Sequence, residues 1–198
     1  MRPEARREQL LDAALRAFCR GGYHGTHVAH VIREAGVARG TFYLYFDSKH
    51  EVFAALVDRM LKIFLDARPA DPDPEVRTAA DAEEVLRRSY RTVLSTFREH
   101  RHLCRLLFDE AGGIDKGFAD RLARHYRAWH ARVRDTLADF AARGVARRDL
   151  DADVTAEMVL GMVERLTRRH LFPDRAPSIE RLVDALVTFE LHGILPRA

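Results

Sequence analysis

Apolar residues recur three and four positions apart along most of this chain, and glycine or proline interrupts the pattern between segments. The first segment contains Leu11, Leu15 and Phe18, and it is followed by Gly21 and Gly22. Because an α-helix turns once in about 3.6 residues, this spacing places the apolar side chains on one helix face. Strict alternation of apolar and polar residues, typical of half-buried β-strands, is not seen. The chain is therefore predicted to be all-α, with about nine helices.

The second and third helices are predicted to be short. Thr26 is expected to cap the second helix, which runs to about Ala35. Gly36 then permits a backbone turn that a residue with a Cβ atom would strain, and a third helix covers roughly residues 38–45. Two short helices joined by a turn that contains glycine are typical of a helix-turn-helix.

A fourth helix is predicted to begin at Lys49, because Ser48 and Glu51 can form a capping box. Residues 67–78 contain three prolines and are expected to be a loop before five further helices. The predicted starts of those helices are Asp81 with Glu84, about His102, Asp115, Asp151 or Asp153, and Ser178, and the sixth is expected to end at Gly112.

The composition indicates a globular protein. Apolar residues make up 47% and charged residues 32% of the chain. No apolar run approaches the roughly 18 residues that span a bilayer, so no membrane partner is expected. The charged N-terminal residues do not suggest a secretion signal, so a cytoplasmic location is expected. Cys19 and Cys104 are expected to be small buried side chains without a disulfide, although a redox switch stays open.

Positive charge is concentrated in the first 62 residues. This part has ten Lys and Arg residues against seven Asp and Glu, whereas the remaining part has 23 of each. A positive excess on one module is typical of a protein that binds a polyanion such as a nucleic acid. A solvated surface gives the same pattern, so charge alone does not decide the function.

The third helix has an unusual composition for a helix that only packs in a core. Four aromatic residues and a glycine lie within residues 38–46. Phe42 and Phe46 are four positions apart and are expected to share the buried face. The side chains expected to project outward, toward phosphates and base edges of a major groove, are Arg39, Thr41, Tyr43 and Leu44.

Residues 26–53, THVAHVIREAGVARGTFYLYFDSKHEVF, resemble the DNA-binding module of the TetR/AcrR repressors. The shared features are the threonine at the start, the Ala-Gly-Val turn, the sequence Gly-Thr-aromatic-Tyr, and an aromatic residue shortly before Lys49. The preceding segment, LLDAALRAFCRGGYHGT, is similar to the family's first helix, so the resemblance covers about residues 8–56.

The resemblance implies a DNA-binding site. Thr26 and Lys49 would contact phosphates, Tyr43 would contact the backbone or a base edge, and Gly40 would let the recognition helix approach closely. The positions that vary in the family and read sequence are Arg39, Thr41 and Leu44. The full expected set is Thr26, His27, Arg39, Gly40, Thr41, Tyr43, Leu44, Tyr45 and Lys49, with a packing role left open for Tyr45.

The sequence departs from the family pattern at three positions. His30 stands where an acid is frequent, and Ile32 where a small residue is usual. Ala38 replaces a common serine cap, which weakens the start of the recognition helix by about 1 kcal/mol. None of these changes removes an expected phosphate contact.

The resemblance also implies that the second part of the chain senses a small molecule and forms a homodimer. Large pliable side chains around Gly161 favour a cavity for an apolar or amphipathic ligand, with ordinary core packing open for each. The candidate ligand-binding residues are Phe64, Tyr90, Phe97, Phe108, Tyr126, Trp129, His130, Met158 and Met162. The candidate dimer residues are Val159, Val163, Leu166, Leu182, Leu186 and Phe189.

The sequence therefore predicts a ligand-responsive repressor that binds a palindromic operator as a homodimer. Residues 1–50 are expected to bind DNA, and residues 51–198 to sense the ligand and dimerise. An activator of the same family and a helical metal sensor stay open, although no cofactor or metal is expected because the histidines lack metal-site spacing. A helical enzyme and an interaction protein without DNA binding are the rivals from other classes. Neither a nucleophile nor an acid–base pair supports the enzyme, and the DNA-contacting residue types argue against the interaction protein.

Overall fold

The computed structural model describes residues 2–66, 76–173 and 175–194. These ranges contain nine α-helices and no strand, so the all-α prediction is confirmed. The helices are α1 (Pro3–Gly25), α2 (Val28–Ala35), α3 (Arg39–Tyr43), α4 (Lys49–Asp66), α5 (Ala79–Glu99), α6 (Arg101–Ile114), α7 (Lys116–Ala142), α8 (Ala152–Leu166) and α9 (Ile179–Ile194). A π-helical turn, Thr167–Leu171, directly follows α8.

The described residues divide into two compact units. The first contains the residues up to Ile63 together with His100–Leu122. In it, α1 packs against α2 and α6. The rings of Phe18, Phe53 and Phe118 meet edge to face in its core, with centroids 5.3 and 5.4 Å apart. This core supports the predicted helix-turn-helix.

The second unit contains the described residues of Phe64–Glu99 and of Ala123–Ala198. Here α5 packs against α9 and against the π-helical turn. A further core cluster gathers around Leu137, Phe140 and Ala156. The predicted boundary between a DNA-binding domain, residues 1–50, and a sensing and dimerisation domain, residues 51–198, is a boundary between functions and stays a prediction.

Side-chain caps begin several helices where the sequence predicts them. Asp115, Asp151 and Ser178 each accept hydrogen bonds from backbone amides two or three positions later, at 3.0–3.3 Å. The Ser48 hydroxyl accepts from the Glu51 amide at 3.1 Å, which confirms the start of α4. The Glu51 carboxylate, however, binds the amide of the residue before the cap, at 2.6 Å.

Two predicted boundaries are wrong for local reasons. Thr78, not Asp81, caps α5, because the Thr78 hydroxyl accepts from the Asp81 amide at 3.2 Å and the Asp81 carboxylate accepts from the Thr78 amide at 2.8 Å. Helix α6 continues through both of its glycines to Ile114, because the chain leaves helical geometry only at the extended Asp115.

The cysteines and the loop give mixed outcomes. Cys104 is buried as predicted, and burial raises the pKa of its thiol to about 12. Cys19 is exposed, so the prediction that it is buried is wrong. Its helical spacing does not place it on the covered side of α1, and its Sγ atom lies 3.6 Å from the His102 carbonyl oxygen. Most of the predicted proline-rich loop, residues 67–75, lies outside the described residues. No helix in the described ranges is long and apolar enough to cross a membrane.

Candidate nucleic-acid interface

Helices α2 and α3 form the helix-turn-helix. Helix α2 ends at Gly36, whose φ of 64° and ψ of 34° lie in the left-handed region. The amide of Val37 donates to the Ile32 carbonyl oxygen at 3.4 Å and closes the turn. A Cβ atom would strain the backbone at Gly36, so the predicted role of this glycine is confirmed.

Two aromatic side chains anchor α3. Phe42 and Phe46 are buried, with ring centroids 6.0 Å apart. The Arg7 guanidinium of α1 lies over the Phe46 ring, 5.2 Å from its centroid. Phe42 lies in α3 and Phe46 lies three residues after its end. Because both of these side chains face the core, the other side chains of α3 point away from it, as predicted.

The outer face of α3 combines a cation, a phenol and an apolar group. The Arg39 guanidinium lies 5.6 Å from the centroid of the Tyr43 ring. Tyr43 is 42% exposed, Leu44 is 81% exposed, and Gly40 has open space where a Cβ atom would stand. Of the predicted DNA-binding residues, the structure leaves His27, Arg39, Gly40, Tyr43 and Leu44 exposed, and Thr41, Tyr45 and Lys49 half-buried.

Thr26 does not have its predicted role. It is only 1% exposed, and its hydroxyl donates to the Ala17 carbonyl oxygen of α1 at 3.2 Å. His27 is the residue that precedes α2, and the Nδ1 atom of His30 accepts a hydrogen bond from the His27 amide at 3.3 Å. The expectation that Thr26 caps α2 and contacts a phosphate is therefore wrong. The imidazole of His30 instead satisfies the amide of the residue that precedes α2.

Lys49 is held by the end of α1. Its Nζ atom donates to the Tyr23 carbonyl oxygen at 2.7 Å and lies 4.3 Å from the centroid of the Tyr23 ring. The Tyr23 amide donates to a carboxylate oxygen of Glu110, on α6, at 3.3 Å. An ammonium has three donors, so a phosphate contact by Lys49 stays a prediction. The sequence does not indicate Tyr23 or Glu110, because only the fold brings Tyr23 to Lys49 and Glu110 to Tyr23.

Polar contacts fix α2 on α1. Arg16 and Arg20 both bind Glu34 of α2, and Arg16 does so at 2.7 Å. Hydrogen bonds from Arg16 and then from Arg20 lower the pKa of Glu34. Gln9 donates to the Ala35 carbonyl oxygen at 2.9 Å, which satisfies a free carbonyl at the end of α2. The C-terminal end of α2, the helix before α3, is thus held against α1.

An imidazole–carboxylate contact joins α4 to the start of α7. The Nε2 atom of His50 lies 2.7 Å from Oδ2 of Asp115, and the His50 and Phe118 rings lie 4.9 Å apart. The hydrogen bond from His50, followed by that from the Phe118 amide, lowers the pKa of Asp115. Further along the two helices, Arg121 donates to Asp58 at 2.7 Å. These contacts join α4 to the first turns of α7.

The candidate ligand-binding residues differ in burial and do not all lie in the same unit. Phe64 and Phe97 are buried with their ring centroids 4.5 Å apart. Tyr90 is also buried, and its hydroxyl donates to the buried carboxylate of Glu190, which the sequence pattern does not indicate. Met158 is 62% exposed, so the prediction that it lines the interior is wrong. Phe108, in the first unit, and Met162, in the second, are half-buried.

The candidates on α7 make polar contacts. Trp129 donates from Nε1 to Nε2 of His125 at 2.9 Å, and burial lowers the pKa of His125. His130 lies 3.1 Å from the Asp153 carbonyl oxygen. Tyr126 is exposed, and its hydroxyl donates to the Glu157 carboxylate at the surface. The predicted interior position of Tyr126 is therefore wrong. Ligand contacts by Trp129 and His130 stay predictions.

Most of the candidate dimer residues lie inside the protomer. Those buried by the chain itself are Val159, Val163, Leu182 and Leu186, and Leu166 is half-buried. The prediction that the four buried residues cover a dimer surface is wrong, because they belong to the core. Phe189, by contrast, is 66% exposed. It lines an open apolar groove together with Met158, Asp184, Ala185, Thr188, His192 and Gly193.

Histidines near the reading helix form pairs with aromatic rings. The His27 and His30 rings lie 5.5 Å apart, and the His24 ring meets that of Tyr23 at 5.3 Å. Within the part of the chain that the structure describes, no group of three or more His, Cys, Asp or Glu residues is arranged to hold a metal ion.

Comparison with known proteins gives the same family for both parts of the chain. Residues 10–56 match the model of bacterial regulatory proteins, tetR family, and residues 79–168 match that of the tetracyclin repressor-like C-terminal domain. The uncharacterized HTH-type transcriptional regulator YdgC of Bacillus subtilis (strain 168) is 27% identical over 200 residues, which cover 96% of this chain and 93% of that protein.

Solved structures share the fold. A TetR-like transcriptional regulator from Rhodococcus sp. RHA1 superposes with a TM-score of 0.80 at 23% identity, covering 98% of this chain and 97% of that chain. The transcriptional regulator FadR from Bacillus subtilis, in complex with stearoyl-CoA, gives a TM-score of 0.71 at 20% identity, covering 94% and 98%. At these identities the likeness shows the fold alone.

A helix-turn-helix with an exposed second helix is a DNA-binding motif, and here all the other elements that the structure describes are helices as well. That combination defines a class, the helical DNA-binding transcription regulators. Both family models and the relative of nearly full length fall within one family of this class. The chain belongs to the TetR family of bacterial regulatory proteins.

Proposed function

We propose that this protein is a ligand-responsive repressor that binds a palindromic operator as a homodimer. The observation that carries the proposal is the outer face of α3, where Arg39, Tyr43 and Leu44 are exposed. Phe42 and Phe46 hold the helix in place from the other side. A short helix presented in this way fits the major groove of a duplex.

The residues of this face divide by chemical role. Arg39 and Lys49 supply positive charge for phosphates or for a guanine edge. Tyr43 supplies a hydroxyl, and Gly40 leaves room for the duplex. The flanking residues in the proposed site are His27, Thr41 and Tyr45. The positive excess of the first 62 residues favours their association with the polyanion.

The proposed dimer forms through the apolar groove of α8 and α9. Met158 and Phe189 expose large apolar side chains there, and such patches are typical of protein–protein contact. A second copy of the chain is a suitable occupant, because a two-fold interface places the same patch on both partners. Two copies would present two α3 helices to successive major grooves.

The proposed effector is an apolar or amphipathic small molecule that binds in the second unit. Phe64 and Phe97 supply buried aromatic surface, and Tyr90 with Glu190 supplies one buried polar pair. The FadR structure of the same fold holds stearoyl-CoA, so acyl-CoA is the first ligand class to test. The ligand releases DNA only if it binds the DNA-competent and the incompetent state with unequal affinity.

The remaining parts of the proposal follow from DNA binding. Residues 1–50 act as the DNA-binding domain and residues 51–198 as the sensing and dimerisation domain. The protein regulates rather than catalyses, and it works in the cytoplasm, where the chromosome is. An activator would use the same contacts, and transcription from the bound promoter with and without the protein separates the two outcomes.

Selection from a random DNA pool with the full-length protein tests this function. We expect an enriched inverted repeat whose half-sites lie about one helical turn apart or slightly more. Phe189→Asp places a charge in the groove and should give a monomer in sedimentation. It should bind the repeat roughly tenfold or more weakly, because the two halves no longer bind as one unit. Leu65→Asp, at another exposed apolar residue, should change neither property.

The outcomes separate the two parts of the proposal. If no sequence is enriched, DNA binding by this chain is refuted. If Phe189→Asp remains a dimer at the concentrations where the parent is one, a surface other than the groove joins the two copies.

A further inference from the structure

Leu44 is the part of the outer face of α3 that phosphate binding does not explain. At 81% it is the most exposed of the large apolar side chains among the described residues. An isobutyl group neither donates nor accepts a hydrogen bond, so it adds nothing to the binding of phosphates. It also contributes almost nothing to the core, since so little of it is covered by the chain.

The backbone around Leu44 fixes where this side chain stands. The Leu44 amide donates to the Gly40 carbonyl oxygen at 3.2 Å, and the φ of −74° and ψ of −16° are helical. Residues four positions apart share a helix face, so Gly40 is the neighbour of Leu44 on that face. A Cβ atom at Gly40 would meet nothing within 4 Å. The isobutyl group therefore projects from the surface next to Gly40, which has no side chain, and beside the stacked pair of Arg39 and Tyr43.

The chemistry of the major groove limits what such a group can contact. Among the base edges there, the 5-methyl group of thymine is the apolar feature, and the other groups are hydrogen-bond donors and acceptors. We infer that Leu44 is a specificity-determining side chain that packs against the 5-methyl group of a thymine in each half-site. This inference rests on the proposed operator binding and adds the identity of one base to it.

Deoxyuridine tests the contact directly, because it lacks only the 5-methyl group of thymidine. The best site selected from random DNA is resynthesised with deoxyuridine at each thymine in turn, and Kd is measured by fluorescence anisotropy with the full-length protein. We expect one thymine per half-site at which deoxyuridine weakens binding by about fourfold, the effect of burying one methyl group. Leu44→Ala should bind the thymine site more weakly and should not distinguish thymine from deoxyuridine there.

Two variants serve as controls. Leu44→Met keeps an apolar side chain of similar volume and should keep the preference for thymine. Leu65→Ala removes the same atoms from another exposed leucine, on α4, and should keep the parent's affinity and preference. Because Leu44 is exposed, its truncation should leave the unfolding temperature unchanged.

The inference is overturned if deoxyuridine has no effect at any position. It is also overturned if Leu44→Ala binds the same site with the parent's preference for thymine. A protein that enriches no DNA sequence would contradict operator binding itself, so failure of the function and failure of the thymine contact are distinguishable.

Discussion

Glu190 lies on α9 with its carboxyl group buried, and the hydroxyl of Tyr90 on α5 donates a hydrogen bond to it. Burial raises the pKa of Glu190 to about 7, and the hydrogen bond from Tyr90 opposes that rise. In the unfolded chain this carboxyl returns to its ordinary pKa of 4.5. The folded state therefore keeps a proton that the unfolded state releases. Stability contributed in this way is complete below pH 4.5 and is lost as the pH rises to about 7.

We expect Glu190→Gln to remove this pH dependence, because an amide is uncharged and its oxygen still accepts from Tyr90. Between the two pKa values the parent should lose up to about 3 kcal/mol of unfolding free energy relative to the variant. Urea unfolding over this pH range measures the difference. The protein concentration is kept constant, because dimerisation makes stability depend on concentration.

Glu180→Gln, on the same helix, is the matched control. Glu180 is exposed and bonded to Arg91 at 2.7 Å, and this hydrogen bond lowers its pKa. Its contribution to stability is therefore lost only as the pH falls below the ordinary glutamate range. A difference between the parent and Glu190→Gln that stays constant with pH would contradict the buried neutral acid.

Contacts between distant residues could not be predicted from the sequence. Tyr90 and Glu190 are 100 positions apart, and Tyr23 and Glu110 are 87 apart. The sequence pattern predicts that Tyr90 lines a cavity and indicates no role for its partner on α9. Such pairs form only when helices pack, whereas propensity, spacing and capping act within a few residues.

Two glycines near α3 have different backbone requirements. Gly36 has a positive φ in the turn before α3, while Gly40 lies within α3 and does not. A Cβ atom would meet nothing within 4 Å at either position. A substitution with alanine therefore tests backbone conformation at both sites without a clash.

We expect Gly36→Ala to lower the free energy of unfolding by about 1 kcal/mol, because a left-handed backbone is strained for alanine. Gly40→Ala should raise it by up to about 1 kcal/mol, because alanine favours the helix. Gly40→Ala should nevertheless bind the operator more weakly, since its methyl group separates α3 from the duplex. Urea unfolding and operator titration check both variants, and destabilisation by Gly40→Ala would contradict the open space at this position.

Helix starts show where local chemistry suffices. Asp115, Asp151 and Ser178 cap their helices as predicted, because each side chain reaches an amide of its own first turn. Thr26 has a hydroxyl like that of Ser178, but it donates to the Ala17 carbonyl oxygen of α1 instead of capping α2. A capping prediction therefore fails where a neighbouring helix offers a competing partner.

Helix α9 explains why the dimer residues were misassigned. Leu182, Leu186 and Phe189 all follow the apolar spacing, so the sequence does not separate them. In the fold Leu182 and Leu186 are buried, whereas Phe189 is exposed. Apolar residues cover more than one side of this helix, and the sequence does not state which side α5 covers.

The positively charged part and the exposed apolar groove lie in different parts of the chain. The excess of positive charge lies in the first 62 residues, and the groove of Met158 and Phe189 is formed by the last two helices. The first kind of surface suits a polyanion and the second suits another copy of the chain. Periodicity and charge predicted the helical class and the module that meets DNA. The assignment of sensing and dimerisation came from the family resemblance.

Operator affinity as a function of salt concentration tests most directly whether α3 and the start of α4 meet the duplex. The parent is compared with Tyr43→Ala and Lys49→Ala, and with Lys62→Ala as the control, because Lys62 is an exposed lysine on α4. Thermal unfolding verifies that each variant folds, which matters for Lys49 because it also binds Tyr23.

We expect Tyr43→Ala to bind roughly a hundredfold more weakly, because each of the two protomers on the operator loses one hydrogen bond to a charged group. For Lys49→Ala, the plot of log affinity against log salt should be flatter by about 1.8, because each of the two protomers on the operator loses one phosphate contact. Lys62→Ala should match the parent. If Tyr43→Ala and Lys49→Ala both fold and bind with the parent's affinity and salt dependence, the DNA does not lie against this face.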